Sequence, residues 1–207
     1  MIKSKNIEYI HFDTIDSTNN WVKKHALQLD PCRITCITAL EQTAGRGRWN
    51  RTWFSPKEQN IYATIYFCIP KESPYLENIP QVLAISCAQM LRKKGFLAKI
   101  KWPNDVLVDG KKIAGILCET VALKEETGVV LGIGINVNMQ EELLKTIDQP
   151  ATSLAQLSGR TWNLEQTLSL LLESFLKSLT ILQQEGLPPF LKFFEALLAS
   201  TGKENCC

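Results

Sequence analysis

Three arginines interleaved with glycines make one short segment of the chain suited to binding an anion. Residues 42–53 form this Gly/Arg loop, which carries Arg46, Arg48 and Arg51 and ends in a tryptophan. Glycine lets backbone N–H groups approach a ligand closely, and a planar guanidinium donates two hydrogen bonds at once to carboxylate or phosphate oxygens. Such a loop can close over a small molecule, a nucleotide or a nucleic-acid backbone.

Further clusters of polar residues lie at or beside the ends of predicted strands. They are residues 17–19, 101–105, 110–115 and 132–136. Because binding residues often sit on loops that a rigid scaffold holds together, we expect the clusters to share one crevice with the Gly/Arg loop. They supply hydroxyl and amide groups for a neutral polar ligand, and lysines for an anion.

Each cluster also has an ordinary structural interpretation. Residues 17–19 suit a helix cap, residues 101–105 suit a β-turn, and the Gly/Arg loop suits a solvated turn. It is the occurrence of all the clusters together that favours a site.

The charge balance of the whole chain argues against a dedicated nucleic-acid binder. Its 207 residues include 23 Lys plus Arg and 21 Asp plus Glu, for a net charge of +2. Nucleic-acid-binding domains usually carry a basic stripe and a pI above about 9. An RNA-binding segment is therefore the less favoured interpretation of the arginines, and no nucleic-acid partner is expected.

The seven cysteines favour a reducing compartment. Their number is odd, they are scattered, and no long apolar segment stands before them in the sequence, so reduced thiols in the cytoplasm are expected. No stretch approaches the about 18 apolar residues of a membrane span, so no membrane partner is expected. Cys32 and Cys36 have loose metal-ligand spacing, but no second pair or nearby histidine completes a zinc site.

Strand-like segments dominate the first two-thirds of the chain and helical segments the last third. Strands are predicted at residues 7–12, 34–40, 61–69, 98–102, 106–108, 113–121 and 129–137, and helices after the caps at 16–19 and at 79–94, 153–157, 164–184 and 188–199. This order is not the regular alternation of a parallel α/β sheet. The expected fold is α+β, with a mixed, largely antiparallel sheet and helices packed on one of its faces.

Two local signals refine this prediction. Asp109-Gly110, between two short apolar runs, is a strong two-residue hairpin signal. The run at residues 129–137 is continuously apolar and predicts a central strand. Its glycines, Gly132 and Gly134, predict close approach by a ligand or by another part of the backbone.

The polar blocks resemble the signature blocks of biotin protein ligases. The matching segments are residues 16–19, 41–56, 101–105, 112–119 and 132–136, in the family's order and spacing. Gly-Arg-Gly-Arg, Lys-Trp-Pro-Asn-Asp and Lys-Ile-Ala-Gly-Ile make the match specific, and it extends over about residues 10–197. The resemblance implies a class II aminoacyl-tRNA synthetase/biotin ligase-like fold in one catalytic domain, residues 1–199, followed by a polar tail, residues 200–207.

The resemblance also implies a reaction. The family joins the carboxylate of biotin to the α-phosphate of ATP, with Mg²⁺, and then transfers the acyl group from biotinyl-5'-adenylate to one lysine of a biotin carboxyl carrier protein. The biotin carboxylate is ionised at neutral pH because a carboxyl pKa is near ~4–5. The first step therefore needs no general base, but it does need charge stabilisation. His11 and His25, the only histidines, lie outside every polar block.

Site residues are carried over by motif. The biotin site is expected to comprise Ser17, Thr18, Asn19, Gln42, Gly45, Arg46, Gly47, Arg48, Lys112, Gly115, Gly132 and Gly134. The ATP and adenylate site is expected to comprise Arg48, Arg51, Trp53, Lys101, Asn104, Lys112 and Asn136. Catalytic roles are implied for Arg48, Lys112, Lys101 and Asp105, with Asp105 helping the acceptor lysine to lose its proton. No metal site built from protein ligands alone is expected, and the Gly/Arg loop is expected to act as a lid.

The chain departs from the family pattern in two ways. Trp49-Asn50 stands where the family has Arg-Gly, and the lost glycine is expected to stiffen the lid, although Asn tolerates left-handed backbone. The blocks start near Ile10 and the sequence ends at Cys207, so we expect a minimal ligase without a DNA-binding domain or the C-terminal barrel.

Two alternatives within the resemblance stay open. One is a lipoate or octanoate ligase or transferase of the same fold, and the other is a non-catalytic biotin- or nucleotide-binding protein. A homodimer formed through a sheet edge also stays open.

Overall fold

A seven-stranded mixed sheet organises the protein, here described from a computed structural model over residues 7–199, without the side chain of residue 50. The strands are β1 (Ile7–Ile15), β2 (Ile34–Gln42), β3 (Ile61–Pro70), β4 (Ala98–Lys101), β5 (Asp105–Val108), β6 (Lys111–Ala122) and β7 (Glu126–Ile135). Their order is β1-β2-β3-β7-β6-β5-β4. Only the β1–β2 pair among them is parallel. The predicted α+β fold and the central position of β7 are confirmed, whereas the predicted tail at residues 200–207 lies outside the described residues.

Six α-helices accompany the sheet in this part of the chain. They are α1 (Thr18–His25), α2 (Ile79–Lys93), α3 (Glu141–Leu144), α4 (Leu154–Ser158), α5 (Leu164–Glu185) and α6 (Pro188–Leu197). α2 and α5 pack together on one face of the sheet, where Phe67, Leu83 and Phe175 are completely buried. Full burial of such a side chain contributes about 1.5–3 kcal/mol, so this face forms the main core.

The prediction that the helices pack on one face was wrong for α1. Val22 and Ala26 of α1 pack against Tyr66 and Val130 on the opposite face. Successive side chains of a strand point to opposite faces, and β3 is buried along nearly its whole length. A strand buried on both sides needs cover on both faces, and α1 supplies part of the second cover.

Two adjacent hairpins place the 101–105 and 112–115 blocks side by side. Asp109 and Gly110 adopt φ values of 51° and 74°, as the two-residue turn between β5 and β6 requires. Asp105 pairs with Lys101 of β4 on one side and with Gly115 of β6 on the other. Gly115 in turn pairs with Gly134 of β7, so neighbouring strands carry separate sequence blocks to one place.

Candidate active site

One cleft of about 700 Å³ gathers the polar blocks on the face of the sheet that carries α1. Its volume lies within the usual range for ligand pockets, about 300–1,000 Å³. The predicted site residues that line it are Ser17, Thr18, Asn19, Gln42, Arg46, Gly47, Arg48, Arg51, Trp53, Lys101, Asn104, Asp105, Lys112, Gly115, Gly132, Gly134 and Asn136. Gly45 lies outside the lining, where a Cβ atom would meet Ser55 Oγ at 2.6 Å. It therefore allows the loop to fold against its own return segment.

One end of the cleft consists of uncharged hydrogen-bonding groups. Gln42 Oε1 accepts from the Thr18 N–H at 2.9 Å and from the Thr18 hydroxyl at 3.2 Å, and Gln42 Nε2 donates to Ser55 Oγ at 3.1 Å. Ser17 caps α1 by accepting from the Asn20 N–H. Residues 17–19 therefore form a helix cap and also line the cleft. Thr64 Oγ1 lies 2.8 Å from Thr18 Oγ1. This end suits a neutral polar ligand.

The other end of the cleft concentrates cationic side chains. Lys112 Nζ forms a 2.8 Å ion pair with Asp105 Oδ1, and both side chains are mostly buried. Arg48 Nη1 donates to Asn104 Oδ1 at 3.2 Å, and Asn104 Nδ2 donates to the Ile116 carbonyl at 2.8 Å. Arg51 and Lys101 are exposed residues of the same lining. Guanidinium and ammonium groups at this density suit a carboxylate or a phosphate.

Glycines allow side chains to lie directly on the sheet beneath the cleft. The indole of Trp53 covers Gly134 and Gly115, and a Cβ atom at Gly115 would meet Trp53 Cζ3 at 2.9 Å. The side chain of Asn19 covers Gly132 in the same way. Lys112 Nζ lies 5.3 Å from the centroid of the Trp53 ring, within cation–π range. The close approach predicted at Gly132 and Gly134 is made here by side chains.

A carboxylate that sequence reasoning left without a role joins the Gly/Arg loop to helix α1. Glu119 contacts Lys23 Nζ at 2.8 Å, Arg46 Nη2 at 2.5 Å and Asn19 Nδ2 at 3.1 Å. Partial burial would raise the pKa of Glu119, but the hydrogen bonds from Lys23, Arg46 and Asn19 outweigh it and hold the pKa below its ordinary value. Its position at the end of the 112–119 block was a usable signal. For Thr64 the signal was a polar residue inside an apolar strand.

The connection after β7 forms another part of the lining that sequence reasoning missed. Ile147, Asp148 and Gln149 face the cleft, and the Lys112 N–H donates to the Pro150 carbonyl at 2.9 Å. Asn136, expected at the nucleotide, is buried and donates its side-chain N–H to the carbonyl of Thr152, at 3.1 Å. In this arrangement Asn136 holds the connection in place. A pairing of that kind has no local sequence signal.

The Gly/Arg loop folds back on itself above the cleft. The Gly47 N–H donates to the Arg51 carbonyl at 2.7 Å, and Arg46 pairs with Thr52. Trp49 is 84% exposed, and its φ of 57° places its backbone in the left-handed region. The Arg48 guanidinium lies 5.4 Å from the centroid of its ring.

Residues 7–199 offer neither a metal-binding cluster nor a membrane-spanning helix. No group of three or more His, Cys, Asp and Glu side chains there is arranged to hold a metal ion. No helix in the same residues has the length and apolar character needed to cross a membrane.

Fold and site together define an α+β protein that can hold a neutral polar group beside an anionic one in a single cleft. The chain belongs to the biotin/lipoate A/B protein ligase family, whose model matches residues 11–136. This result confirms the resemblance to the biotin protein ligases.

Individual relatives agree with this assignment. The bifunctional ligase/repressor BirA of Escherichia coli is 32% identical over 185 residues, which cover 88% of this chain and 57% of BirA. The biotin–[acetyl-CoA-carboxylase] ligase of Paracoccus denitrificans is 31% identical over 91% of this chain and 80% of its own. The biotin protein ligase of Aquifex aeolicus, solved in complex with biotin and ATP, is 30% identical and superposes with a TM-score of 0.77, covering 92% of this chain and 78% of its own. The chain thus spans a little more than half the length of BirA.

Proposed function

We propose that this chain is an ATP-dependent biotin–protein ligase, which forms biotinyl-5'-adenylate and passes the biotinyl group to a lysine of a biotin carboxyl carrier protein. The observation that carries the proposal is the composition of the cleft, with uncharged hydrogen-bonding groups at one end and arginines and lysines at the other. Biotin has the matching layout, with a neutral ureido ring at one end and a carboxylate at the other. Membership of a family that includes ligases for biotin and lipoate supports it.

The uncharged end is proposed to bind the ureido ring. Ser17 and Thr18 offer hydroxyl groups, and Gln42 is fixed by its bonds to Thr18 and Ser55, so its amide has a defined orientation. Fixed donors and acceptors lower the entropic cost of ligand binding. Ligand binding here would exchange some of these internal hydrogen bonds for bonds to the ureido group.

The cationic end is proposed to carry the first step. A biotin carboxylate oxygen attacks the α-phosphorus of ATP, the bond to the bridging oxygen breaks, and diphosphate leaves, with no proton transferred. Lys112 and Arg48 would offset the repulsion between the two anions and stabilise the charge on the phosphoryl group. Arg51, Trp53 and Lys101 are proposed to contact the nucleotide.

Magnesium is proposed to enter with the nucleotide. Mg²⁺ usually keeps several waters and binds through one or two carboxylates plus substrate phosphates. Asp105, a carboxylate in the cleft, is already paired with Lys112, which fits a metal held mainly by ATP. When bound there, Mg²⁺ would neutralise charge on the phosphates.

The second step needs a deprotonated amine. The acceptor lysine attacks the carbonyl carbon of biotinyl-adenylate, an amide bond forms, and AMP leaves. Lysine has an ordinary pKa of about 10.4, so a proton must be removed, and Asp105 is proposed to accept it, directly or through water. Closure of the Gly/Arg loop would keep water away from the adenylate.

The deciding experiment is the mass of a biotin carboxyl carrier domain after incubation with this chain, biotin and MgATP. We expect one biotin adduct on one lysine, and no adduct without ATP. Absence of both the adduct and biotin-dependent diphosphate release would overturn the proposal. Melting temperatures measured with biotin, lipoate, octanoate or RNA distinguish the alternatives, since a ligand that binds only the native state raises the melting temperature. Stabilisation by biotin without diphosphate release would indicate a non-catalytic binder.

Two properties of the whole protein belong to the same proposal. Cys32, Cys36, Cys68, Cys87 and Cys118 are free thiols, which fits the cytoplasm expected from the sequence. β1 ends the sheet on one side, so a homodimer through this edge stays a prediction that sedimentation analysis can test.

A further inference from the structure

One carboxylate on strand β6 connects that strand with helix α1 and with the Gly/Arg loop. Glu119 lies on β6, and its side chain contacts Asn19 and Lys23 of α1 together with Arg46 of the Gly/Arg loop. The side chain of Glu119 is 20% exposed, and those of Lys23 and Arg46 are each 38% exposed. The carboxylate is thus enclosed by partners from helix α1 and from the Gly/Arg loop.

The contact with Arg46 attaches the beginning of the loop to the sheet. Within the loop, the Trp53 N–H donates to the Gly45 carbonyl at 2.9 Å, which joins its two ends to each other. Arg46 instead reaches out of the loop to Glu119. Since Arg46 and Lys23 are both cations bound to the same oxygen, removal of the Glu119 charge would leave two like charges close together.

The contact with Asn19 fixes the orientation of an amide at the uncharged end. Asn19 Nδ2 donates to Glu119 Oε2 at 3.1 Å and to the Leu117 carbonyl at 3.3 Å. Its Oδ1 accepts from the buried Thr64 hydroxyl at 2.6 Å. Asn19 itself is 4% exposed and covers Gly132. An amide bonded at both of its ends cannot rotate without breaking these contacts.

We propose that Glu119 is a positioning residue that sets the closed position of the Gly/Arg loop and the orientation of Asn19, and so controls how long biotin and its adenylate are retained. It touches neither reacting atom, so its influence passes through Arg46 and Asn19. This inference rests on the proposed ligase function.

Glu119→Gln is the sharpest test because it removes the charge and keeps the shape. Limited trypsin cleavage after Arg48 and Arg51, followed by mass spectrometry in the presence of biotin and MgATP, reports whether the loop is closed. We expect cleavage about tenfold faster in the variant, as for loss of a charge-assisted hydrogen bond. We also expect a higher KM for biotin at similar kcat. The leak ratio, defined as the diphosphate released per biotinylated acceptor lysine, should rise.

Two controls separate positioning from a general loss of stability. Glu173→Gln removes an exposed 2.6 Å pair with Lys177 on α5, a helix on the opposite face of the sheet from the cleft. This variant should leave the cleavage rate and the leak ratio unchanged. Lys23→Met keeps the Arg46–Glu119 pair and should preserve loop protection, whereas Arg46→Met should reproduce the fast cleavage. The double variant Arg46→Met/Glu119→Gln should be no worse than either single change, since both break one contact.

The outcomes distinguish this inference from the function on which it rests. If the original chain shows no response to biotin in cleavage or diphosphate release, the ligase proposal fails. If the original chain responds and Glu119→Gln matches it in cleavage rate and leak ratio, the role of Glu119 is overturned. If Glu119→Gln does not fold, equal cleavage rates in Arg46→Met and Lys23→Met would overturn it instead.

Discussion

Lys112 lies at the cationic end of the cleft, between Asp105 and Trp53. Its ammonium group is 2.8 Å from the Asp105 carboxylate and 5.3 Å from the centroid of the Trp53 ring. Its backbone N–H and carbonyl bond to Pro150 and Thr152 of the connection after β7. The charge is thus held by contacts on several sides, as its proposed role in stabilising a developing anion requires.

Replacement of this ammonium group should strongly slow the proposed activation of biotin while leaving the fold intact. Lys112→Met keeps most of the length and apolar stem of the side chain but removes the charge, so we expect biotin-dependent diphosphate release to fall by about 10²–10³-fold. Lys111→Met is the matched control, because Lys111 is the exposed neighbour on the same strand and should retain full activity. Normal release by Lys112→Met would remove Lys112 from the proposed mechanism.

The ionisation of Glu119 should make part of the stability pH-dependent. Its folded-state pKa is held below the ordinary value of 4.5, so its stabilisation is fully present above that value and is lost as the pH falls through the folded pKa. The groups that face it are Lys23, Arg46 and Asn19. We expect the difference in free energy of unfolding between the original chain and Glu119→Gln, measured with urea, to be constant near about pH 6–7 and to shrink towards about pH 3. A difference that grows on acidification would contradict this assignment.

At the scale of single elements, the β5–β6 hairpin is what brings Asp105 and Lys112 within reach of each other. Asp105 opens β5 and Lys112 lies near the start of β6, with the left-handed pair Asp109 and Gly110 between the strands. A bulge between Val106 and Leu107 shifts the register. The ion pair therefore depends on a turn that can be predicted from the adjacent residues Asp109 and Gly110.

Gly110→Ala should lower the free energy of unfolding by about 1–2 kcal/mol, the cost of left-handed backbone at a residue with a Cβ atom. A Cβ atom at this position would meet nothing within 4 Å, so the loss is conformational and not steric. Asp109→Asn, which replaces one left-handed-tolerant residue by another, is the matched control and should change the stability little. Urea unfolding measures both, and an unchanged Gly110→Ala variant would refute the explanation from backbone conformation.

What could be predicted of the fold follows from how local each signal is. The hairpin at Asp109-Gly110 and the central strand β7 were found because turn residues and apolar runs are contiguous. The cover that α1 gives to the second face was missed, because α1 has only 8 residues and its partner Tyr66 lies on a distant strand. The continuous burial of β3 is the feature that requires this cover.

The candidate site divides in the same way. The Gly/Arg loop and the 101–105 block could be read from contiguous residues, and they line one cleft. Glu119 became prominent only when Lys23 and Arg46 came to share its carboxylate, which is a tertiary contact. The position of Trp53 over Gly134 is likewise a tertiary contact, so the glycines alone indicated a close approach without identifying the group that approaches.

At the scale of the whole molecule, the sheet edge formed by β4 is covered by residues that follow α6. Beside β4, the Ala199 N–H donates to the Ile100 carbonyl at 2.8 Å, and Leu198 forms a parallel bridge with Ile100. A covered edge offers fewer unpaired backbone groups to another chain. β4 ends at Lys101, which lines the cleft. The cover over β4 therefore also helps to hold a residue of the candidate site in place.

Removal of the residues beyond Glu195 should therefore weaken both the edge and the core. Leu197 is 4% exposed, and loss of its burial together with the Ala199–Ile100 hydrogen bond should lower the free energy of unfolding by about 2–4 kcal/mol. A chain that ends at Ala199 is the reference, with urea unfolding as the measurement. Leu197→Ala in that reference should reproduce most of the loss, whereas Leu198→Ala, at a residue 39% exposed, should cost much less. If the chain ending at Glu195 were as stable as the reference, neither the burial of Leu197 nor the cover over β4 would contribute to the stability of the fold.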